Sequence, residues 1–254
     1  MHDAARVARV RSLDVEGLHS SEISQVTGVP RTTVRRWLKG KVPGEGWSGR
    51  CFRCDGAHRL FPALRDSSYS YLFGLYLGDG HVSSHARGVQ RLTITLDRAY
   101  PGIVAECEAA MSLVLPRNTI RIAPKSDGSE ADEVSAYSKH WACLLPQHAP
   151  GLKHDRPIEL RDWQRAILDR WSWRFLRGLI HSDGCRSLNT IVHPNKTYRY
   201  PRYAFSNRSA DIRDLFCEYC DRVKVEWRQM NQWNISVARR ESVALMDRHI
   251  GPKR

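Results

Sequence analysis

Apolar and polar residues alternate with a period of two at positions 91–96, 119–123, 203–206 and 233–237, the pattern of strands with one covered and one open face. Positions 103–115 and 210–223 instead repeat with a helical period, and Ser209 followed by Asp211 predicts an N-cap and a favourable first-turn charge. The helices are expected to cover the apolar faces of the strands, which leaves Thr, Arg and Lys side chains on the open faces. Trp163, Trp171 and Trp173 fall at roughly helical spacing and are expected to pack rather than to stack on a ligand.

Two further stretches spell nearly the same nine residues. Positions 72–80 read Leu-Phe-Gly-Leu-Tyr-Leu-Gly-Asp-Gly, and positions 176–184 read Leu-Arg-Gly-Leu-Ile-His-Ser-Asp-Gly. Each carries small residues four apart, Gly74/Gly78 and Gly178/Ser182, which on a helix form one smooth stripe. Two such helices can lie close together, bringing Asp79 and Asp183 side by side at their C-terminal ends. Paired carboxylates there suit hard divalent cations and, through them, phosphodiester cleavage. The plain alternative is two buried helices that each end in an ordinary Asp-Gly turn. A wider repeat argues against it: residues 134–148 align without gaps on 235–249 at an offset of 101, close to the 104 between Asp79 and Asp183. Each half therefore reads as one unit of motif helix, two strands, helix, two strands and closing helix.

The two nonamers resemble the signature of the LAGLIDADG homing endonuclease family. The first matches at Leu72, Gly74, Leu75, Asp79 and Gly80, the second at Leu176, Gly178, Leu179, Ile180, Asp183 and Gly184. Leu77 and His181 depart at the sixth position, which is variable in the family and is not its metal ligand. The resemblance covers about residues 66–254 and implies an α+β fold, a pseudo-twofold duplication of two αββαββα units (66–151 and 152–254) that form a saddle. It implies a monomer with an internal pseudo-dimer, acting as a magnesium-dependent, site-specific DNA endonuclease. Such an enzyme breaks both strands of a long asymmetric site across the minor groove and leaves short 3′ overhangs. Asp79 and Asp183 would each anchor a Mg2+ ion, two or more in all, with the backbone carbonyls of Gly78 and Ser182 as further oxygen ligands. Arg91, Thr93 and Thr95 would face the major groove. The family also keeps basic side chains around the acidic centre, and the aligned pair Lys139 and Arg240 is the candidate for them, with Arg239 competing for the second place. Transcription regulators without nuclease activity and RNA-splicing maturases use the same scaffold; retention of both Asp residues favours the nuclease.

The first 40 residues predict a separate helix-turn-helix DNA-binding domain. Gly28 takes the turn, Ile23, Val26, Val29, Val34 and Leu38 pack, and the second helix offers Arg31, Thr32, Thr33, Arg35 and Arg36 to DNA. A three-helix bundle used for protein contacts is the alternative. Residues 41–65 begin as a Gly/Pro-rich linker and continue into Cys51, Cys54 and His58, spaced as a possible structural Zn2+ knuckle that lacks a fourth ligand. Cys217 and Cys220 are candidates to complete it, or else buried apolar side chains three apart on a helix.

A formal net charge of +13 agrees with a phosphate-bearing partner, double-stranded DNA. The basic residues are spread through the chain rather than along one amphipathic stripe, which argues against a membrane surface. Without a leader or a long apolar run the protein is expected to be cytoplasmic, at the nucleoid if the source is prokaryotic. Without an asparagine at a splice junction it is expected to be freestanding rather than an embedded intein.

Overall fold

The computed structural model describes residues 4–39, 63–116, 118–149 and 151–253. They fall into two compact units that divide after residue 58. In the first, α1 (Ala4–Val15), α2 (Ser20–Thr27) and α3 (Arg31–Leu38) close around Val7, Val10, Leu13, Ile23, Val29, Val34 and Trp37, with Leu18 and Leu38 packed at the margin. Helix α2 begins where Glu22 accepts the His19 backbone N–H at 2.7 Å and ends at Gly28, whose φ of 65° makes the turn. Val26, expected in this core, is 61 % exposed. Trp37 fills the core instead, because it lies one turn beyond Val34 on the same face of α3. Trp37→Ala is therefore expected to destabilise the small unit by about 3–5 kcal/mol. A thermal melt followed by circular dichroism would record an early loss of helix signal, and an unchanged melt would contradict this core assignment.

The second unit is built twice from the same parts. Its first half runs α4 (Ala63–Asp79), β1 (Gly80–Ser84), β2 (Gln90–Asp97), α5 (Pro101–Val114), β3 (Ile120–Pro124), β4 (Ala131–Ser138) and α6 (Trp141–Leu144). After α7 (Asp162–Arg170) come α8 (Ser172–Asp183), β5 (Gly184–His193), β6 (Lys196–Ser206), α9 (Ala210–Arg222), β7 (Arg228–Gln229), β8 (Asn234–Val237) and α10 (Arg240–His249). Each half holds a four-stranded antiparallel sheet, ordered β1-β2-β4-β3 and β5-β6-β8-β7. The registers are related as well: the glycine that ends each motif pairs into the C-terminal half of the next strand, Gly80 with Ile94 and Gly184 with Phe205. Alternation drives this folding. Leu92, Ile94, Leu96, Val134 and Ala136 are buried on one face with Cys107 and Met111 of α5, and Phe205 stacks on Phe216 of α9 at 4.4 Å between centroids. Ser209 caps α9 as expected, its hydroxyl accepting the Ile212 N–H at 3.4 Å.

The halves differ in two places. The closing helix of the first is only four residues long, because Pro146 cannot continue it, whereas α10 has ten. Strands β5 and β6 pair from Gly184↔Phe205 out to His193↔Lys196, yet β8 joins β6 only over 203–206. The rest projects as a two-stranded ribbon, and Pro201 sits where β6 pairs with β5 alone. Trp163 packs on Tyr69 and Trp173 stacks on His249 at 4.2 Å, as their spacing predicts. Cys217 and Cys220 line the buried face of α9, where burial pushes the Cys217 thiol up to about 12 and Cys220 well above its ordinary range. Two buried thiols three apart on the covered face of a helix pack as small apolar side chains, the second of the two readings of this pair. Cys51, Cys54 and His58 lie outside the described residues. Among the described residues, no helix is long and apolar enough to cross a membrane.

Candidate functional site

Helices α4 and α8 touch backbone to backbone, and two glycines set the distance. A Cβ at Gly74 would lie 2.6 Å from the Phe175 carbonyl oxygen and 2.8 Å from the Leu179 nitrogen. One at Gly178 would strike the Tyr71 carbonyl and lie 2.9 Å from the Gly74 Cα. The stripes read from the sequence are thus the contact itself. Around them Tyr71, Leu72, Leu75, Phe175, Leu176 and Leu179 are buried, which keeps the seam dry. The carboxylate of Asp183 comes within 2.9 Å of where a Gly78 Cβ would be. Asp79 and Asp183 consequently stand beside each other at the C-terminal ends of the two helices.

Placing two carboxylates there is unfavourable, and their titration records it. Burial is the largest cause that pushes Asp79 up to about 6; the charge of Asp183 adds to it, while Lys153 and Lys253 oppose it. Burial also raises Asp183, offset by the Asn207 amide, which donates to its Oδ2 at 2.5 Å, and by the same two lysines. The halves are not equal here. Asn207 and Asp97 make matching turns, accepting the N–H of Ser209 at 2.8 Å and of Ala99 at 2.9 Å. Asp183 therefore has an amide donor, where the first half carries another carboxylate. A cleft of about 240 Å³ opens at this end of the seam, lined by Asp79, Asp97, Tyr100, His181, Ser182 and Lys253 among others.

The basic groups at the acid pair are not those expected from the aligned repeat. Lys139 is exposed between β4 and α6, Arg240 is exposed at the start of α10, and Arg239 is ion-paired with Glu226. Lys153 and Lys253 take their place. The Lys153 ammonium donates to the carbonyls of Tyr76 at 2.7 Å, Gly78 at 2.6 Å and Gly80 at 2.9 Å, and burial pushes it down to about 8 despite the two aspartates. Lys253 donates to the Ser182 carbonyl at 3.1 Å and is likewise lowered by burial. Their signal in the sequence was a repeated Gly-x-Lys, Gly151-Leu152-Lys153 and Gly251-Pro252-Lys253, just beyond the aligned stretch.

His181 braces the seam from within. Its Nδ1 meets the Tyr71 hydroxyl at 2.8 Å, and burial, followed by Arg177, pushes it down to about 3, so it is neutral. Glu106 of α5 accepts Arg174 at 2.6 Å and Arg177 at 2.9 Å; burial would raise this carboxyl, but the two guanidiniums hold it below its ordinary value. Arg91, Thr93 and Thr95 share the sheet face opposite Leu92 and Ile94, as their alternation predicts. There Arg91 is tied to Glu133 at 3.2 Å and Ser135 at 3.0 Å, and Thr93 is buried in mid-sheet. Arg31, Thr32, Arg35 and Arg36 are exposed on α3, with Thr33 half-buried.

Two carboxylates and the carbonyls of Gly78 and Ser182 are an all-oxygen set of the kind Mg2+ takes. Among the described residues, no group of three or more His, Cys, Asp or Glu converges to hold a metal without those carbonyls. The raised Asp79 also predicts a pH effect on stability. Because its folded value, about 6, lies above the ordinary 3.8, the stability it confers is fully present below 3.8 and is lost as pH rises through 6. Asp79→Asn should therefore be the more stable protein at pH 8 by on the order of 2–3 kcal/mol, and the gap should close towards pH 4. Urea denaturation at both pH values checks this; a pH-independent difference would contradict it.

The close helix pair flanked by two equivalent sheets is the LAGLIDADG homing endonuclease fold. Among solved structures the chain is similar to the homing endonuclease I-DmoI in complex with DNA and Mn, at 14 % identity and a TM-score of 0.50, covering 74 % of this chain and 97 % of that one. It also matches the LAGLIDADG meganuclease I-AabMI bound to uncleaved DNA (10 % identity, TM-score 0.44, 71 % and 84 % of the two chains). Full-length DUF199/WhiA from Thermatoga maritima matches at 14 % identity and a TM-score of 0.46, over 75 % of this chain and 57 % of that one. No family model and no curated protein matches the sequence.

Proposed function

We propose that the protein is a divalent-metal-dependent, site-specific DNA endonuclease of the homing type, making double-strand breaks in a long asymmetric site. The observation that carries this reading is the meeting of Asp79 and Asp183 at the seam, where burial raises the pKa of both carboxyls and where a packing role does not require two of them. The solved I-DmoI complex, which contains DNA and Mn, supports the choice of partner and cofactor. Asp79 and Asp183, with the carbonyls of Gly78 and Ser182, would hold Mg2+. When bound, the metal would lower the pKa of an attacking water and stabilise charge on the phosphorus and on the departing 3′ oxygen.

The chain's own residues do the rest. The dry helix seam fixes the separation of the two carboxylates and hence of the two phosphates they address. Lys153 and Lys253 supply positive charge for the nonbridging oxygens, and the open sheet faces with Arg91 and Thr95 supply groove contacts. The basic α3, with Arg31, Arg35 and Arg36 exposed, adds a second set of phosphate contacts. That appended helical unit also favours a second reading, a sequence-specific regulator on the same scaffold, since a nuclease with its own long saddle needs no other reader. Incubation of the purified protein with a duplex library in Mg2+, beside Asp79→Asn and Asp183→Asn, separates the two. Cutting by the parent alone supports the nuclease, and selective retention by all three without cutting supports the regulator.

A further inference from the structure

Each half of the larger unit ends on a Gly-x-Lys, and each lysine returns to the last turn of its own motif helix. Lys153 uses all three of its N–H bonds on carbonyls there, those of Tyr76, Gly78 and Gly80. Lys253 uses one, on Ser182, and otherwise lies over the Tyr100 ring at 5.9 Å. Gly78 and Ser182 are the carbonyls that, on the proposed reading, would complete the oxygen set with Asp79 and Asp183. A divalent ion and an ammonium cannot both sit on one carbonyl at bonding distance, because two positive charges that close repel strongly in a partly buried site.

The geometry points to Lys153 and Lys253 as resident counter-cations: in the DNA-free protein they occupy the carbonyl ligands and neutralise the aspartate pair, so a divalent ion enters only as the ammonium groups leave. This rests on the proposed reading of the pair as a divalent-ion site. An arriving phosphodiester gives the lysines a better partner, since an ammonium binds an anionic oxygen more strongly than a neutral carbonyl, and the four-carbon stem is long enough to swing. DNA and metal are then positively coupled. The two sides are unequal. Lys253, held by one carbonyl against three for Lys153, is the first to leave.

The test is a Mn2+ titration of the full chain without DNA, with free ion read by electron paramagnetic resonance. Lys153→Met and Lys253→Met are expected to bind at least about tenfold more tightly than the parent, within the usual range of coupling between sites. Adding Asp79→Asn to either should remove the gain. Lys253→Met loses a single hydrogen bond and keeps the test decisive if Lys153→Met fails to fold, which circular dichroism reports. Equal affinity in parent and variants overturns the inference and leaves the metal reading standing. Absence of Mn2+ binding by every form, with duplex present as well, overturns both.

Discussion

Asp79→Asn is expected to lower double-strand cleavage by at least about 10³-fold while DNA retention stays unchanged or tightens. The substitution keeps the shape of the side chain and removes only the charge that would anchor a cation. Retention is spared because losing a negative charge beside the DNA backbone reduces repulsion. Stability moves the other way, since the parent carries a buried carboxylate raised to about 6 that the amide replaces without desolvation of a charge. A variant that is more stable at pH 8, binds as well and no longer cuts is the signature of a group kept for chemistry at the expense of the fold. A packing residue at a helix end would show neither the gain in stability nor the loss of cutting. Gel retention and cleavage on the same duplexes, with a denaturation curve, give all three readings; cutting at the parental rate sinks the assignment.

The parts of the fold that were legible in the sequence are those in which the residue pattern is itself the packing. The small-residue stripes of the nonamers are the surfaces on which α4 and α8 meet, and the alternation at 91–96 is the buried and open face of β2. The identity of the basic groups was not legible from the aligned repeat. Lys139 and Arg240 fall in a gapless alignment, but that alignment tracks secondary structure and says nothing of where a long side chain ends. Lys153 follows His148 by five residues and Lys253 follows His249 by four, so they slip out of register even though both reach the seam. Asn207 was hidden for a related reason: its partner Asp183 is 24 positions away, and only the pairing of β5 with β6 brings the end of β6 beside the motif. The β5–β6 ribbon beyond Tyr203 was not legible, because a proline such as Pro201 is tolerated in a strand only where one side is unpaired, and that is a property of the neighbours rather than of the segment. In the small unit, Val26 and Trp37 both fit a helical period, and choosing between them required knowing how α2 and α3 cross.

Gly178→Leu should be the most damaging single substitution in the larger unit. The stripe has no room: even the first added carbon at Gly178 meets the Tyr71 carbonyl and comes to 2.9 Å of the Gly74 Cα, both backbone atoms of a helix that cannot turn aside. The helices must separate, which opens gaps among Leu75, Phe175 and Leu179 as well as costing repulsion. Overpacking of side chains alone costs typically about 1–3 kcal/mol. Forced parting of two backbones adds lost contacts, so at least about 3 kcal/mol is expected, or roughly 6–12 °C in melting temperature for a unit of this size. Ala109→Leu, which adds bulk to the exposed face of α5, is the control and should stay within about 0.5 kcal/mol. The milder Gly178→Ala links stability to chemistry. Where it remains folded, the added methyl should still part Asp79 from Asp183, and a misplacement of about 1 Å is worth about 10²-fold in rate. Cleavage measured well below its melting temperature should therefore fall by about that factor, with DNA retention kept. Parental cleavage by a folded Gly178→Ala protein would mean that the separation set at Gly74 and Gly178 does not govern the spacing of the two carboxylates.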